Sequence, residues 1–130
     1  MTAEKWLLVV EDEPLILEMV SSTLEDGGFA TLVAGDGAEA VRIVNERHPQ
    51  LAGLVTDIRL GAGPDGWEVA RRARELSADL PILYITGDSA DKWTSCGVPK
   101  SGLVQKPFAA AQILVAVAGL VEGRSASPQG

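Results

Sequence analysis

The stretch LLVVEDEPLI, residues 7–16, predicts how the chain begins to fold. Its aliphatic residues run without polar alternation, which favours a β-strand covered on both faces, as in a parallel sheet. Pro14 is typical of the first turn of a helix. The three acids between these elements therefore lie where a buried strand reaches the surface. We expect Glu13, directly before Pro14, to act structurally against the helix dipole. Glu11 and Asp12 are left to be explained by chemistry.

The same order of apolar run and helical segment recurs along the chain. The later apolar runs are FATLVA at 29–34, LAGLVTD at 51–57, PILYIT at 81–86 and the weaker GLVQK at 102–106. Five repeats of β-α predict an α/β fold with a doubly wound, five-stranded parallel sheet and right-handed crossovers. Turn-forming residues are dense in 87–102, so the fourth helix is expected to be short, extending little beyond 89–96.

Length and composition predict one globular domain. The chain has 130 residues, of which 46% are hydrophobic and 22% charged, as in ordinary folded proteins. We expect the domain to occupy residues 4–121 and the remainder, 122–130, to form a frayed, flexible tail. The single Cys96 excludes an internal disulfide.

The charge and hydropathy of the chain limit the classes of partner and the cellular location that we expect. The formal net charge of −7 argues against unaided binding to nucleic acid and favours cations and basic protein surfaces. The first apolar run is short and is followed by acids, so no secretory signal is predicted. The most apolar stretch, 109–121, is shorter than the roughly 20 residues that a membrane span needs. The sequence therefore predicts a cytoplasmic protein without a membrane segment.

Charged and polar side chains follow the predicted strands at their carboxyl ends. They are Glu11 and Asp12 after the first strand, Asp57 after the third, Thr86 after the fourth and Lys106 after the fifth. Ligands of open parallel sheets bind beyond this edge. Two like charges about 4 Å apart repel by roughly 4 kcal/mol at an effective dielectric constant of about 20, so the acids need protonation or a cation. A few carboxylate oxygens at an open edge suit Mg²⁺.

An ionised aspartate beside Mg²⁺ is a competent nucleophile towards phosphorus and forms an acyl phosphate. Asp57 is the best candidate because it ends a central strand. Lys106 would pair with one phosphoryl oxygen, and Thr86 would donate a hydrogen bond to another. The joint occurrence of these residues at several strand ends supports the prediction, since each of them alone is weak.

Five motifs occur in order at these strand ends and helix starts. They are VVEDEP at 9–14, LVTDIRL at 54–60, DGWEVAR at 65–71, YITGD at 84–88 and QKPF at 105–108. Over about residues 4–121 the chain resembles the receiver domain of two-component response regulators. The resemblance implies a (βα)5 domain that takes a phosphoryl group from a phosphohistidine of a sensor histidine kinase or a histidine phosphotransfer protein.

The resemblance also assigns the site residues. It implies that Asp57 is the phospho-acceptor. The implied Mg²⁺ ligands are Glu11, Asp12, Asp57 and the backbone carbonyl of Arg59. Thr86 would be the switching hydroxyl, and Lys106 would contact the phosphoryl group. The bond between Lys106 and Pro107 is expected to be cis, as receivers usually have it.

Two features depart from the family pattern. Leu103 stands three residues before the lysine, where receivers often have an aromatic residue, so a coupled threonine and aromatic switch is not expected. The short fourth helix alters the usual output surface. Arg59 and Asp88 flank the path of the hydrolytic water in the family, and we expect their opposite charges to pair and to tune the lifetime of the phosphoryl group.

Two further segments allow alternatives. GAGPDG at 61–66 matches G-x-G-x-x-G, but it does not follow its strand directly, so a turn beside Asp57 is favoured over dinucleotide binding. The predicted fifth helix carries no charge up to Val121. We expect its outer side to be either a homodimer or kinase-docking face, together with the fifth strand, or a harmless alanine-rich surface.

These observations favour a stand-alone receiver that signals by contact with an unknown protein target. We expect it to catalyse only its own phosphorylation and dephosphorylation and to be no enzyme for other substrates. The nine residues after Val121 are too few for an output domain. One alternative is a small Mg²⁺-dependent phosphotransferase or phosphatase that uses Asp57 on an external substrate. Another is a receiver excised from a larger hybrid sensor kinase.

Overall fold

Five parallel strands form one sheet at the centre of the molecule. The structure, a computed structural model, describes residues 5–125. The strands are β1 (Trp6–Val10), β2 (Ala30–Ala34), β3 (Leu51–Asp57), β4 (Ile82–Thr86) and β5 (Gly102–Gln105). They lie in the order β2-β1-β3-β4-β5, and each neighbouring pair is parallel. The predicted doubly wound α/β fold is confirmed, with β3 as the central strand.

Five α-helices connect and cover these strands. They are α1 (Pro14–Asp26), α2 (Gly37–Arg47), α3 (Gly66–Leu76), α4 (Trp93–Cys96) and α5 (Ala110–Ser125). α4 has only 4 residues, which confirms the short fourth helix. α5 continues to Ser125, so the first part of the predicted flexible tail, 122–125, is helical instead. The rest of the predicted tail, 126–130, lies outside the described residues.

The sheet separates two apolar layers. α2 and α3 cover one face, and α1 and α5 cover the other. β1 serves both layers, because Leu8 and Val10 belong to the first and Leu7 and Val9 to the second. Each such side chain contributes about 1.5–3 kcal/mol when it is fully buried. This burial on both faces explains why the first apolar run lacks polar alternation.

Hydrogen bonds from neighbouring elements hold the loop that follows the short α4. The Tyr84 hydroxyl in β4 accepts from the Val98 amide at 3.0 Å. The Arg74 guanidinium in α3 donates to the backbone carbonyls of Pro99 at 2.5 Å and Lys100 at 3.1 Å. These bonds fix a segment in which a single helical turn leaves many backbone groups without helical partners.

The loop before α3 contains three glycines with separate structural roles. Gly61 and Gly63 have φ of +77° and +88°, a conformation that glycine adopts at little cost. A Cβ on Gly66 would lie 2.2 Å from the carbonyl oxygen of Asp57, and the Gly66 amide donates to the Ile58 carbonyl at 2.8 Å. α3 therefore begins directly against the end of β3, as the turn interpretation of this loop requires.

One side of α5 faces outwards. Ile113 and Val117 are buried against the sheet, whereas Val115 is 71% exposed. Ala111 and Gly119, one turn to either side of Val115, are also exposed. The outer face of α5 is thus uncharged from Ala111 to Gly119. Among the helices that the structure describes, none is long and apolar enough to cross a membrane.

We predict that Gly66→Ala lowers the free energy of unfolding by about 2–3 kcal/mol, because the new methyl group meets backbone that cannot move away easily. Gly119→Ala is the matched control. A Cβ there meets nothing within 4 Å, and replacing glycine inside a helix is expected to raise the free energy of unfolding by about 0.5–1 kcal/mol. Urea denaturation measures both, and equal stabilities of the two variants would contradict the prediction.

Candidate functional site

The carboxyl edge of the sheet carries an open cleft of about 540 Å³. The residues that line it are Asp12, Glu13, Asp57, Arg59, Gly87, Asp88 and Lys106. Buried Glu11 lies beside it, within ion-pair distance of Lys106. The structure therefore brings together the acids and the lysine that were predicted at separate strand ends.

Asp57 ends the central strand with its carboxylate held at both oxygens. The residue is only 5% exposed. Its Oδ1 accepts the Ile58 amide at 2.7 Å, and its Oδ2 accepts Lys106 Nζ at 3.0 Å. Charge-assisted hydrogen bonds of this kind stabilise the ionised carboxylate. Asp57 is thus an ordered carboxylate at the base of an open cleft.

Lys106 reaches Asp57 from the far side of β4. Its amide donates to the Thr86 carbonyl at 2.7 Å, which ties the start of the next loop to β4. Its bond to Pro107 is cis, as predicted. The stem passes over Gly87, where a Cβ would lie 3.9 Å from both Cβ and Cδ of Lys106. The ammonium therefore arrives in the cleft from a backbone that β4 holds in place.

Glu11, Asp12 and Asp57 form an acidic cluster. Each offers one carboxylate oxygen, and these oxygens lie within 4.8 Å of one another. Glu11 is 1% exposed, and its Oε1 is buried without a hydrogen bond. A buried oxygen left without a hydrogen bond is costly, and close carboxylates repel each other. This donor set fits a hard divalent cation such as Mg²⁺, which accepts a few carboxylates and keeps several waters.

The environment shifts the pKa values of the buried acid and of the lysine in the same direction. Burial, together with the Asp57 charge, raises the pKa of Glu11 from 4.5 to about 7. Partial burial by itself lowers the pKa of Lys106, but the hydrogen bond and charge of Asp57, followed by the Glu11 charge, raise it overall. Lys106 is therefore a persistent cation, whereas Glu11 holds its proton more readily than an ordinary glutamate.

Glu13 is the residue that sequence reasoning missed. Its side chain makes no capping hydrogen bond to α1. Its Oε1 instead lies 3.7 Å from Lys106 Nζ. Glu13 therefore belongs with the acids around Lys106, and its expected interaction with the dipole of α1 stays a prediction. The sequence signal was its place in the same short loop as Glu11 and Asp12, which does not determine the direction of the side chain.

The Thr86 hydroxyl is engaged by the turn after β4. The residue is 1% exposed, and its Oγ1 accepts the Ser89 amide at 2.8 Å and the Asp88 amide at 3.2 Å. This oxygen thus organises the turn that forms one wall of the cleft. The switching role implied for Thr86 stays a prediction.

Arg59 and Asp88 pair across the cleft mouth, as predicted. Arg59 Nη2 lies 2.9 Å from Asp88 Oδ2, and Arg59 Nε donates to Asp88 Oδ1 at 3.1 Å. The Ser89 hydroxyl, followed by Arg59, lowers the pKa of Asp88. Both side chains of the pair are more than half exposed, so the contact adds little to folding stability. Its expected importance is functional, because both residues line the cleft.

The missing aromatic residue of β5 has a counterpart in the neighbouring strand. Leu103 pairs in register with Tyr84 of β4. Tyr84 is fully buried, its ring centroid lies 4.7 Å from that of Trp67, and its hydroxyl accepts the Val98 amide. An aromatic side chain, Tyr84, thus lies on the strand next to Leu103, and contacts to its ring and its hydroxyl hold it in place.

Comparison with known proteins agrees with this geometry. The family model described as the response regulator receiver domain matches residues 7–118. The chain therefore belongs to the response regulator receiver family of two-component systems.

Solved structures and curated relatives support the same family. A response regulator receiver protein from Sinorhizobium medicae is 41% identical with a TM-score of 0.89, over 93% of this chain and 97% of that one. The DNA-binding response regulator MtrA of Mycolicibacterium smegmatis is 33% identical over 89% of this chain and 50% of its own length. The phosphate regulon transcriptional regulatory protein PhoB of Pseudomonas aeruginosa is 32% identical over 85% of this chain and 48% of its own length. The chain thus spans about half the length of these curated relatives.

The raised pKa of Glu11 predicts how stability depends on pH without divalent cations. Between pH 4.5 and about 7 the folded protein keeps a proton on Glu11 that the unfolded chain has lost. The free energy of unfolding therefore falls as pH rises through this window. Glu11→Gln lacks this titration, so it should gain roughly 2–3 kcal/mol relative to wild type from pH 4.5 to pH 7.5. Urea denaturation in EDTA at several pH values measures the difference, and a difference that does not change with pH would contradict the prediction.

Proposed function

We propose that the protein receives a phosphoryl group on Asp57 from a phosphohistidine of a sensor histidine kinase or a histidine phosphotransfer protein. The observation that supports this most strongly is the 3.0 Å contact between Asp57 Oδ2 and Lys106 Nζ inside an open cleft. In this contact an ordered carboxylate, the proposed nucleophile, lies beside an ammonium group that can pair with a phosphoryl oxygen instead.

In the proposed reaction a carboxylate oxygen of Asp57 bonds to phosphorus. The P–N bond of the phosphohistidine breaks, and its electron pair returns to the imidazole nitrogen. The ammonium of Lys106 turns from Asp57 to an oxygen of the transferred group, which keeps the charge paired. The Thr86 hydroxyl turns towards another phosphoryl oxygen and gives up the amides of Asp88 and Ser89.

Glu11, Asp12, Asp57 and the backbone carbonyl of Arg59 are the proposed Mg²⁺ ligands. Bound there, Mg²⁺ would neutralise the acids and the charge that develops on the phosphoryl oxygens. The support is the fit of the acidic cluster and the buried Glu11 Oε1, which has no hydrogen bond. Arg59 lines the same cleft through its place directly beyond the end of β3.

The proposed output is contact with another protein in the cytoplasm. The net charge of −7 disfavours nucleic acid as a direct partner of this domain. Homodimerisation through β5 and α5 remains a proposal, supported by the uncharged outer face around Val115. Self-phosphorylation followed by slow hydrolysis, without turnover of an external substrate, distinguishes this signalling role from that of a phosphotransferase or phosphatase.

Phosphorylation of Asp57 can be tested directly by mass. We expect incubation with Mg²⁺ and phosphoramidate to add one phosphoryl group to wild type and none to Asp57→Asn, which keeps the shape of the side chain but loses the nucleophilic charge. EDTA should prevent the gain. Intact-mass spectrometry gives the readout. A mass gain in Asp57→Asn equal to that of wild type would contradict the assignment, and sustained release of phosphate from a small ester would favour the enzymatic alternative.

The Arg59–Asp88 pair is predicted to protect the phosphoryl group from water. Arg59→Ala and Asp88→Ala should each increase the rate of dephosphorylation by a few fold, since either change opens the cleft mouth. The double variant should be no faster than the single ones, because both remove the same contact. Loss of the added mass over time measures the rates. Additive effects would show that the residues act separately, and unchanged rates would show that the pair has no such role.

A further inference from the structure

Glu13 directs its carboxylate away from the helix that follows it. Its Oε1 lies 3.7 Å from Lys106 Nζ, and its side chain makes no cap on α1. The Glu13 amide donates to Glu11 Oε2 at 3.1 Å, which fixes this backbone beside the acidic cluster. The side chain is 63% exposed and lines the cleft. Glu13 thus places an accessible negative charge at the entrance to the site.

Three carboxylates share the ammonium of Lys106. The distances from Nζ are 3.0 Å to Asp57 Oδ2, 3.6 Å to Glu11 Oε1 and 3.7 Å to Glu13 Oε1. Two of these acids are buried, whereas Glu13 is exposed to water, and an exposed ion pair is weak. A phosphoryl oxygen that approaches Lys106 therefore competes first with Glu13.

Glu13 also determines the net charge of the acids, the lysine and the bound cation that a phosphoryl donor approaches. The carboxylates of Glu11, Asp12, Glu13 and Asp57 stand against one ammonium, and a bound divalent cation adds two positive charges. One negative charge remains, and it corresponds to Glu13, which lies outside the proposed metal ligands. Without Glu13 the same group of side chains and cation would be neutral.

We propose that Glu13 is a specificity-determining residue for the phosphoryl donor. It pairs with Lys106 in the resting protein and disfavours dianionic acyl phosphates relative to donors that carry the phosphoryl group on nitrogen. In the latter, a protonated nitrogen compensates part of the phosphoryl charge, as in phosphohistidine and phosphoramidate. The inference rests on the proposed phosphorylation of Asp57 and concerns which donors that site accepts.

Two small donors separate the charge effect from the chemistry. With acetyl phosphate, Asp57 bonds to phosphorus, the P–O bond breaks, and its electron pair leaves on acetate. With phosphoramidate, the P–N bond breaks, and the electron pair leaves on the protonated nitrogen as ammonia. Near neutral pH acetyl phosphate is a dianion, whereas phosphoramidate is a monoanion. The ratio of the two rates therefore reports the electrostatic preference of the site.

Glu13→Gln tests the proposal. We expect phosphorylation by acetyl phosphate to become about three- to tenfold faster and phosphorylation by phosphoramidate to change by less than about twofold. High salt should reduce the gain with acetyl phosphate, because screening already weakens the repulsion in wild type. Intact-mass time courses give the rates. A Mg²⁺ titration followed by tryptophan fluorescence verifies that each variant is saturated with metal.

Glu18→Gln is the matched control. It removes the same formal charge from α1, the helix that follows Glu13, and Glu18 is exposed and does not belong to the residues that line the cleft. We expect it to keep the wild-type ratio of rates. Thermal unfolding of both variants checks that α1 remains folded after the loss of an acid near its N-terminus.

The outcomes separate this inference from the proposed function. An unchanged rate ratio in Glu13→Gln, or a slower reaction with acetyl phosphate, would overturn the inference while phosphorylation of Asp57 stands. The same change of ratio in Glu18→Gln would also overturn it, because the effect would then belong to net charge alone. Failure of wild type to gain mass with either donor would overturn the proposed function itself.

Discussion

The contact between Lys106 and Asp57 constrains the whole carboxyl edge of the sheet. β4 lies between the strands from which the two residues come, so the two side chains and the 3.0 Å contact between them together span two strand spacings, roughly 10 Å. The lysine stem passes beside Gly87, and its backbone is held in place because the Lys106 amide donates to the Thr86 carbonyl. If the ammonium were absent, the buried carboxylates of Glu11 and Asp57 would repel each other in a region of low dielectric.

Burial on both faces of the sheet explains why the chemistry is concentrated at one edge. Side chains within the central strands belong to one apolar layer or the other, so polar groups are tolerated where the strands end. Parallel strands end at the same edge, which brings together acids that are far apart in sequence. Gly66 then allows α3 to start directly against Asp57, with no room for a side chain between them. The position of the Asp57 carboxylate is thus a consequence of packing.

The sequence predicts the fold well because apolar runs and turn formers are local signals. It also predicts Glu11, Asp12, Asp57 and Lys106 as one group, since the carboxyl ends of parallel strands share an edge. It could not predict the direction of the Glu13 side chain, which depends on the backbone of the loop after β1. The helical conformation of residues 122–125 was missed because charged and small residues there interrupt the apolar pattern of the preceding segment.

The residue beside Leu103 could not be predicted from the sequence for a different reason. Which residue lies beside it depends on the register of β4 against β5, and an apolar run does not determine register. The structure pairs Leu103 with Tyr84, whose ring and hydroxyl both have partners. A large aromatic movement beside Leu103 would therefore break a buried hydrogen bond, at a cost of about 1–3 kcal/mol. The site thus favours a switch that leaves this part of β4 in place.

The turn after β4 is the part of the site that can change with the least disturbance. Thr86 Oγ1 accepts the amides of Asp88 and Ser89, and Asp88 in turn binds Arg59. A movement of the Thr86 hydroxyl towards the cleft would release both amides and loosen the exposed ion pair at the same time. Tyr84, two residues earlier in the strand, stays anchored in the core. Phosphorylation would therefore alter the cleft mouth first, and a protein that recognises this mouth would read the change without any rearrangement of the sheet.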